Sequence, residues 1–131
     1  MSLVSEQLAE AMNIACIDAP PEFSELELAK LQSAPSVAVK PPRVATSPVS
    51  YECILETTLS FGKNQLVIFG RILNAHVEDR FVIDAEQALI DTPGLALVDA
   101  MHGAKWYSRM SDLFSMDRPT WKEWIGRGKV R

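Results

Sequence analysis

The sequence predicts an α+β fold that is mainly β. Two short helix patterns lie near the N-terminus, two long strand patterns occupy the middle, and a segment rich in proline and serine connects them. The 131 residues, 47% hydrophobic and 23% charged, are sufficient for one globular core. We therefore expect a single domain over residues 1–131, in which residues 117–131 form an extended tail.

The composition disfavours several classes of partner. A net charge of −4 provides no basic surface for a nucleic acid. No apolar run approaches the ~20 residues that a membrane crossing requires, so we expect no membrane contact. Cys16 and Cys53 form no CxxC pair, and neither histidine stands at metal-ligand spacing from them. This pattern predicts reduced thiols, no metal site and a cytoplasmic location.

The first element predicted is an amphipathic helix over 4–16, with Ser5 as a candidate N-cap. Its apolar face comprises Val4, Leu8, Met12 and Ala15. A second helix is predicted from Glu25 to about Leu31, because Ser24 and Glu27 have the S-x-x-E spacing of a capping box.

The connector over 33–48 contains Pro35, Pro41, Pro42 and Pro48. Adjacent prolines favour extended backbone without ladder hydrogen bonds. We predict an ordered crossing segment, because Val37 and Val39 supply apolar side chains to bury.

A strand is predicted over 49–59, since polar and apolar residues alternate with a period of two. Its apolar face, expected to be buried, comprises Val49, Tyr51, Cys53, Leu55 and Leu59, and its polar face includes Ser50, Glu52, Glu56 and Thr58. Two carboxylates four residues apart on one strand face are compatible with acid–base chemistry. A solvated face is the interpretation that we favour for Glu52 and Glu56.

The next strand pattern, over 65–77, is apolar on both faces and predicts a strand that is central or lies at a subunit contact. The turn sequence Gly62-Lys63-Asn64 joins the two strands into an antiparallel hairpin. Gly70, in mid-strand, indicates a bulge or close packing, or less favourably the approach of a ligand.

The region from 81 to 101 has mixed character. Val82 and Ile83 suggest a short strand, Asp84 a cap for a turn or short helix, and Pro93-Gly94 a break. The usual catalytic signatures, such as G-x-S-x-G, H-E-x-x-H and the phosphate-binding glycine loops, are absent.

The segment 102–109 carries the strongest hint of chemistry. Its candidate site residues are His102, Gly103, Lys105, Trp106, Tyr107 and Arg109. An aromatic ring can stack on a flat cofactor, and a cation can stabilise negative charge on that cofactor. Composition by itself favours a different interpretation, a helix N-terminus that packs Trp106 and Tyr107 into the core.

Several segments, taken in order, resemble the C-terminal half of the flavin reductase-like family. They are 8–13, 22–29, 39–45, 47–53, 66–72, and 102–107 with 118–121. The resemblance covers nearly the whole chain. It implies a partial FMN-binding split β-barrel with flanking helices, intertwined with or completed by a second copy in a homodimer.

The same resemblance implies a cofactor and a reaction. Members of this family bind FMN, or less often FAD, and many reduce it with NADH or NADPH by hydride transfer to flavin N5. The six candidate residues in 102–109 would then lie near the flavin ring. The family's phosphate-binding strands precede the segment that resembles 8–13, and this chain has no counterpart for them. Many relatives carry a histidine near the position of Asn64. The alternative is a structural or dimerisation fragment without redox activity.

Overall fold

A computed structural model describes residues 1–63, 65–103, 105–110, 116 and 118–127. Its main feature is the antiparallel hairpin of β3 (Val49–Ser60) and β4 (Leu66–Val77), which confirms the predicted strand pair. The helices are α1 (Ala9–Ile14), α2 (Glu25–Leu28) and α3 (Trp121–Arg127), and 3₁₀ turns cover Glu6–Leu8 and Asp79–Phe81. Asn64, in the predicted turn, lies outside the described residues.

The other described strands form three short antiparallel pairs. These are β1 (Ser33–Ala34) with β2 (Arg43–Val44), β5 (Val82–Asp84) with β6 (Leu89–Ile90), and β7 (Val98–Ala100) with β8 (Tyr107–Arg109). Within the described residues these sheets do not close into a barrel. Asp84 caps a turn, not a helix, because its Oδ1 accepts the backbone N–H groups of Glu86 and Gln87.

The N-terminal prediction was wrong at its start. Residues 1–5 are extended, and the α-helix begins only at Ala9. The backbone groups of this segment form hydrogen bonds with distant strands and not within a helix. Leu3 N–H donates to the carbonyl of Val49, and the carbonyl of Val4 accepts from Val98 N–H. Ser5 is buried, and its side chain makes no capping bond. The N-terminal segment therefore bridges β3 and β7.

The four residues predicted to form the apolar face of the first helix nevertheless line one cavity. Its volume is about 150 Å³, and residues of α2 and β2 complete its lining. The N-cap half of the capping box at α2 is confirmed, since Ser24 Oγ accepts from Glu27 N–H at 3.4 Å. Lys30 has a left-handed φ of +55°, which ends this helix before Leu31.

Burial along β3 follows its length and not its faces, so the prediction of one buried face was wrong. Val49, Ser50 and Glu52 are buried, whereas Leu55 is 67% exposed. Both faces are covered at the proximal end because the N-terminal segment and the proline-rich crossing pack there. At the distal end, next to the turn that joins β3 and β4, both faces of the hairpin are exposed in the single chain. The exposed apolar side chains there are Leu55, Leu59, Phe61, Leu66, Val67, Ile68 and Phe69.

The packing interpretation of Gly70 agrees with the structure. A Cβ at this position would lie 3.3 Å from Cβ of Cys53, which is closer than ordinary contact. Gly70 pairs with Leu55 beside a register shift in the hairpin. The close approach of the neighbouring strand accounts for glycine at this position.

The segment 117–131 was predicted to be an extended tail, but its described part contains helix α3. Thr120 and Glu123 form a reciprocal capping box. The Glu123 carboxylate accepts the backbone N–H of Thr120 at 2.7 Å, and Thr120 Oγ1 accepts from Glu123 N–H at 3.3 Å. The hydrogen bonds that the Glu123 carboxylate accepts from the backbone N–H and the hydroxyl of Thr120 lower the pKa of Glu123.

Candidate functional site

The segment 102–109 is a strand hairpin and not a helix N-terminus. Tyr107–Arg109 forms β8, and Met101 N–H donates to the carbonyl of Trp106 at 2.9 Å. Gly103 has a φ of +65°, a conformation that glycine adopts without strain. The aromatic and charged side chains of this segment are therefore displayed by a tight turn and the strand that follows it.

The prediction that Trp106 and Tyr107 pack into the core was wrong. Trp106 is 59% exposed and Tyr107 is 43% exposed. The rings of His102 and Trp106 are tilted by 33°, with 6.3 Å between their centroids. The strand pairing of β8 with β7 leaves these rings on an open surface. We call this group of residues, His102, Lys105, Trp106 and Tyr107, the aromatic surface.

Arg109 has a different position from the other candidates. Its Nε donates to Oε1 of Glu6 at 2.5 Å, and both side chains remain largely exposed. This ion pair joins β8 to the 3₁₀ turn that precedes α1. Arg109 therefore anchors the aromatic surface to the N-terminal part of the chain.

Glu52 has a buried carboxylate with four hydrogen-bond partners, so the prediction of a solvated side chain was wrong. It is only 2% exposed. Its carboxylate accepts backbone N–H groups of the crossing segment, and the donors are Val37 at 2.8 Å, Ala38 at 2.5 Å and Val39 at 3.2 Å. Nε2 of His76 lies 2.6 Å from its Oε1. One carboxylate thus joins β3, β4 and the proline-rich crossing.

This environment favours the charged form of Glu52. The hydrogen bond from His76, opposed by desolvation and assisted by the three backbone N–H groups, lowers the pKa of Glu52 from 4.5 to about 2. Because the carboxylate then carries no proton, Nε2 of His76 must be the donor. Glu52 consequently fixes the orientation and the proton position of this imidazole.

A second consequence concerns the crossing segment. It was expected to be ordered by burial of Val37 and Val39, but Val37 is 79% exposed. The β1–β2 pairing closes the segment at its base, and the Glu52 carboxylate holds its backbone in the middle. Order here comes from hydrogen bonds to backbone, which the sequence does not reveal.

A polar cavity of about 420 Å³ lies where the crossing segment meets the end of β4. Arg43, His76, Glu78 and Asp79 contribute its ionisable lining groups. None of its lining residues belongs to the segment 102–109. The only sequence signal for this site was the K-P-P-R motif, which gives a cation at the end of a rigid crossing.

Metal-binding clusters and membrane-spanning helices are absent from the described part of the chain. No group of three or more His, Cys, Asp or Glu residues is placed there to hold a metal ion. None of the described helices has both the length and the apolar character that a membrane crossing needs. Cys16 and Cys53 are free thiols.

Comparison with known proteins gives no match to a family model. An uncharacterized protein of Deinococcus radiodurans is 35% identical over 131 residues, which are 100% of this chain and 57% of that protein. The uncharacterized protein BH2278 of Halalkalibacterium halodurans is 35% identical over 123 residues, 90% of this chain and 57% of that protein. The chain therefore spans just over half the length of these relatives.

Solved structures give more information. The 2-nitrobenzoate 2-nitroreductase NbaA of Pseudomonas fluorescens matches 92% of this chain over 59% of its own length, with a TM-score of 0.81 and 26% identity. Component B of nitrilotriacetate monooxygenase from Bacillus cereus matches 88% of this chain over 57% of its own, with a TM-score of 0.76 and 26% identity.

A third match names the fold. A proposed flavin reductase with a split barrel domain from Shewanella frigidimarina has a TM-score of 0.76 at 20% identity, covering 90% of this chain and 59% of that protein. This likeness supports the fold alone, and the two matches at 26% identity have the same fold as this chain. Together with the order of segments seen in the sequence, they show that the chain has the fold of the flavin reductase-like split-barrel proteins and resembles that family.

Proposed function

We propose that this chain binds flavin and takes part in flavin reduction, with FMN favoured over FAD and NADH or NADPH as the hydride donor. The observation that carries the proposal is the match of about nine-tenths of the chain to a nitroreductase and a monooxygenase component at 26% identity. The third match, named as a flavin reductase, supports the same fold. The chain covers less than two thirds of these proteins, so flavin reduction by this chain is a proposal.

The aromatic surface fits a flat cofactor ring. Trp106 and Tyr107 are exposed, and a Cβ built at Gly103 meets no atom within 4 Å, so the turn leaves room for a ligand. Bound flavin would supply the redox chemistry, accepting a hydride from the nicotinamide. The aromatic rings would align the flavin by stacking, and the ammonium of Lys105 and the imidazole of His102 would offset negative charge beside it.

Arg109 has a supporting role in this proposal. Its guanidinium is bound to Glu6, so its charge is partly compensated before any ligand arrives. We therefore assign it the positioning of β8 and assign ring contact to Trp106 and Tyr107.

The proposal is tested by adding FMN and following the flavin's visible spectrum and fluorescence. We expect a perturbed spectrum and quenched fluorescence in the parent protein. Trp106→Leu should weaken FMN binding roughly two- to tenfold, the range expected for loss of one aromatic stacking contact. Trp121→Leu, which removes another exposed tryptophan in α3, is the matched control and should bind FMN like the parent.

Absence of any change at high micromolar FMN would contradict flavin binding by this chain. Oxidation of NADH with added FMN then tests the reductase step, with heat-treated protein as the control. FMN binding without NADH oxidation would assign the chain a flavin-carrying role and remove catalysis from the proposal.

A second candidate function is favoured by the distal end of the β3–β4 hairpin. Both of its faces expose apolar side chains, and exposed apolar surface of this kind is typical of a segment that another chain covers. On this alternative the chain is a structural or dimerisation module without redox activity. We propose a homodimer under both functions, so lack of FMN binding by a stable dimer would select the second.

A further inference from the structure

An apolar cavity lies between the N-terminal segment, α1, α2 and β2, and neither function proposed above uses it. Its volume is about 150 Å³, and none of the candidate residues in 102–109 lines it. Its apolar lining side chains include Leu8, Met12 and Ala15 in and around α1, Leu26 from α2 and Val44 from β2. Each of these residues is half-buried, so the cavity opens to the surface and a small molecule can enter it without local unfolding.

Two serines complete the lining, and both have hydrogen-bond partners within the chain. The hydroxyl of Ser47 donates to the carbonyl of Leu3 at 2.7 Å. Ser2 Oγ accepts the backbone N–H of Val44 at 3.2 Å and lies 2.9 Å from Oγ of Ser50. None of the described residues that line the cavity is ionisable. The cavity therefore offers a ligand mainly apolar contact and no charge.

Water is held poorly in a cavity of this kind. The volume leaves room for about five water molecules, and each of them needs about two to four polar partners. An apolar molecule that displaces this water gains apolar contact and gives up few hydrogen bonds. Closed apolar cavities of similar size in proteins stay dry and take up benzene. Size and lining therefore favour an uncharged ligand of about one ring.

Met12 indicates which apolar ligand fits best. Its side chain lines the cavity, and its Sδ lies 3.9 Å from Sγ of the exposed Cys16. A thioether sulfur makes favourable contacts with the edge of an aromatic ring. Among the described residues that line the cavity, none is aromatic. An aromatic ligand would therefore supply the ring contact that the chain itself does not give this sulfur.

We propose that this cavity binds a small, uncharged aromatic molecule of about one ring, the class to which benzene and toluene belong. The ring packs against the aliphatic side chains of α1, α2 and β2, and its edge faces Sδ of Met12. The inference goes beyond the flavin proposal, because an uncharged ring in this cavity needs neither the aromatic surface nor a redox step.

The methyl group of Met12 is a direct reporter of this cavity. In protein labelled with carbon-13 at the methionine methyl groups, Met12→Leu identifies its NMR signal, and the exposed Met116 is an internal reference. Millimolar benzene is expected to shift the Met12 signal and leave that of Met116 unchanged. Phenol should bind several-fold more weakly and benzoate should not bind, because their polar groups would lose water and gain no partner in the cavity.

Variants then identify the contacts, with the benzene-induced rise in Tm as the measurement. Ala15→Leu should fill part of the cavity and reduce benzene affinity by about tenfold or more, because the added carbons occupy the space of the ring. Ala85→Leu, the same substitution at an exposed position outside the cavity, is the matched control and should bind benzene like the parent. If Ala15→Leu alters the far-UV circular dichroism, Val4→Ile adds a single methylene to the lining and should still weaken binding.

Met12→Leu tests the preference for an aromatic ring. It keeps a similar apolar volume and removes the sulfur, so it should weaken benzene binding about two- to tenfold, the range expected for one sulfur–aromatic contact. Unchanged affinity in this variant would show that the sulfur does not select the ligand and would refute the aromatic preference.

The proposal is overturned if benzene close to its solubility limit leaves the Met12 signal unchanged, or if Ala15→Leu binds benzene as tightly as the parent. Weaker self-association of Ala15→Leu in light scattering, with no benzene binding by the parent, would instead assign the cavity to a contact with another chain. Quenching of FMN fluorescence tests the flavin proposal separately, and its failure leaves this one intact.

Discussion

At the scale of single residues, Glu52 links three parts of the fold through one carboxylate. Its partners are His76 on β4 and the backbone N–H groups of Val37, Ala38 and Val39 in the crossing. A carboxylate can accept all four bonds because it has two oxygens and no proton. The amide side chain of glutamine has a single acceptor oxygen, so it cannot replace this set of contacts.

We expect Glu52→Gln to reduce stability at neutral pH and to change its pH dependence. Folding lowers the pKa of Glu52 from 4.5 to about 2, so its stabilising effect is complete above about pH 4.5 and is lost as the pH falls towards 2. Thermal unfolding midpoints should therefore differ most at neutral pH and converge in acid. Glu56→Gln, at an exposed ion pair, is the control. A difference between parent and variant that is the same at pH 7 and pH 2 would contradict the assignment.

At the scale of elements, the β3–β4 hairpin depends on its turn. Gly62 has a φ of +144°, and Phe61 N–H donates to the carbonyl of Gln65 across the turn at 2.9 Å. A Cβ at Gly62 would meet no atom within 4 Å. The requirement for glycine is therefore conformational and not steric, in contrast to Gly70.

Gly62→Ala should accordingly destabilise the chain by about 1–3 kcal/mol, the usual range for a side chain forced into a sparsely populated backbone region. The free energy of unfolding in urea measures this loss, and amide hydrogen exchange should locate it at the hairpin turn. Lys63→Ala, at the neighbouring exposed position, should change stability much less. Equal losses in the two variants would refute a backbone cause.

At the scale of the whole molecule, the main feature is the exposed apolar surface at the distal end of the β3–β4 hairpin. Ile68 and Phe69 are exposed on opposite faces of β4, and their partners Thr58 and Thr57 are exposed as well. An exposed apolar patch of this kind is typical of a surface that another chain covers. The proposed homodimer would bury it and complete the barrel that the described sheets leave open.

The dimer proposal predicts that Ile68→Asp weakens self-association by about tenfold or more, because it places a charge in a desolvated contact. Size-exclusion chromatography with light scattering over a dilution series gives the dissociation constant. Ile83→Asp adds the same charge at an exposed position outside the hairpin and should leave association unchanged. A parent protein that is monomeric at tens of micromolar would contradict the proposal.

The candidate site was predictable only in part. The residues of 102–109 were recognised by their chemistry, and the exposed rings of Trp106 and Tyr107 agree with a binding role more than with core packing. Contact with flavin remains a prediction. The role of Glu52 was missed, because its partners lie 13–24 residues away along the chain.

The sequence by itself determined the hairpin, the capped start of α2 and the likeness to split-barrel proteins, because strand alternation, capping spacing and segment order are local or linear properties. Only the tertiary structure decided that Glu52 is buried and that the distal apolar strands are open. Alternation specifies which side chains share a face, whereas burial depends on which segments pack against that face. The crossing and the N-terminal segment cover the proximal hairpin, and nothing in the described chain covers its distal half.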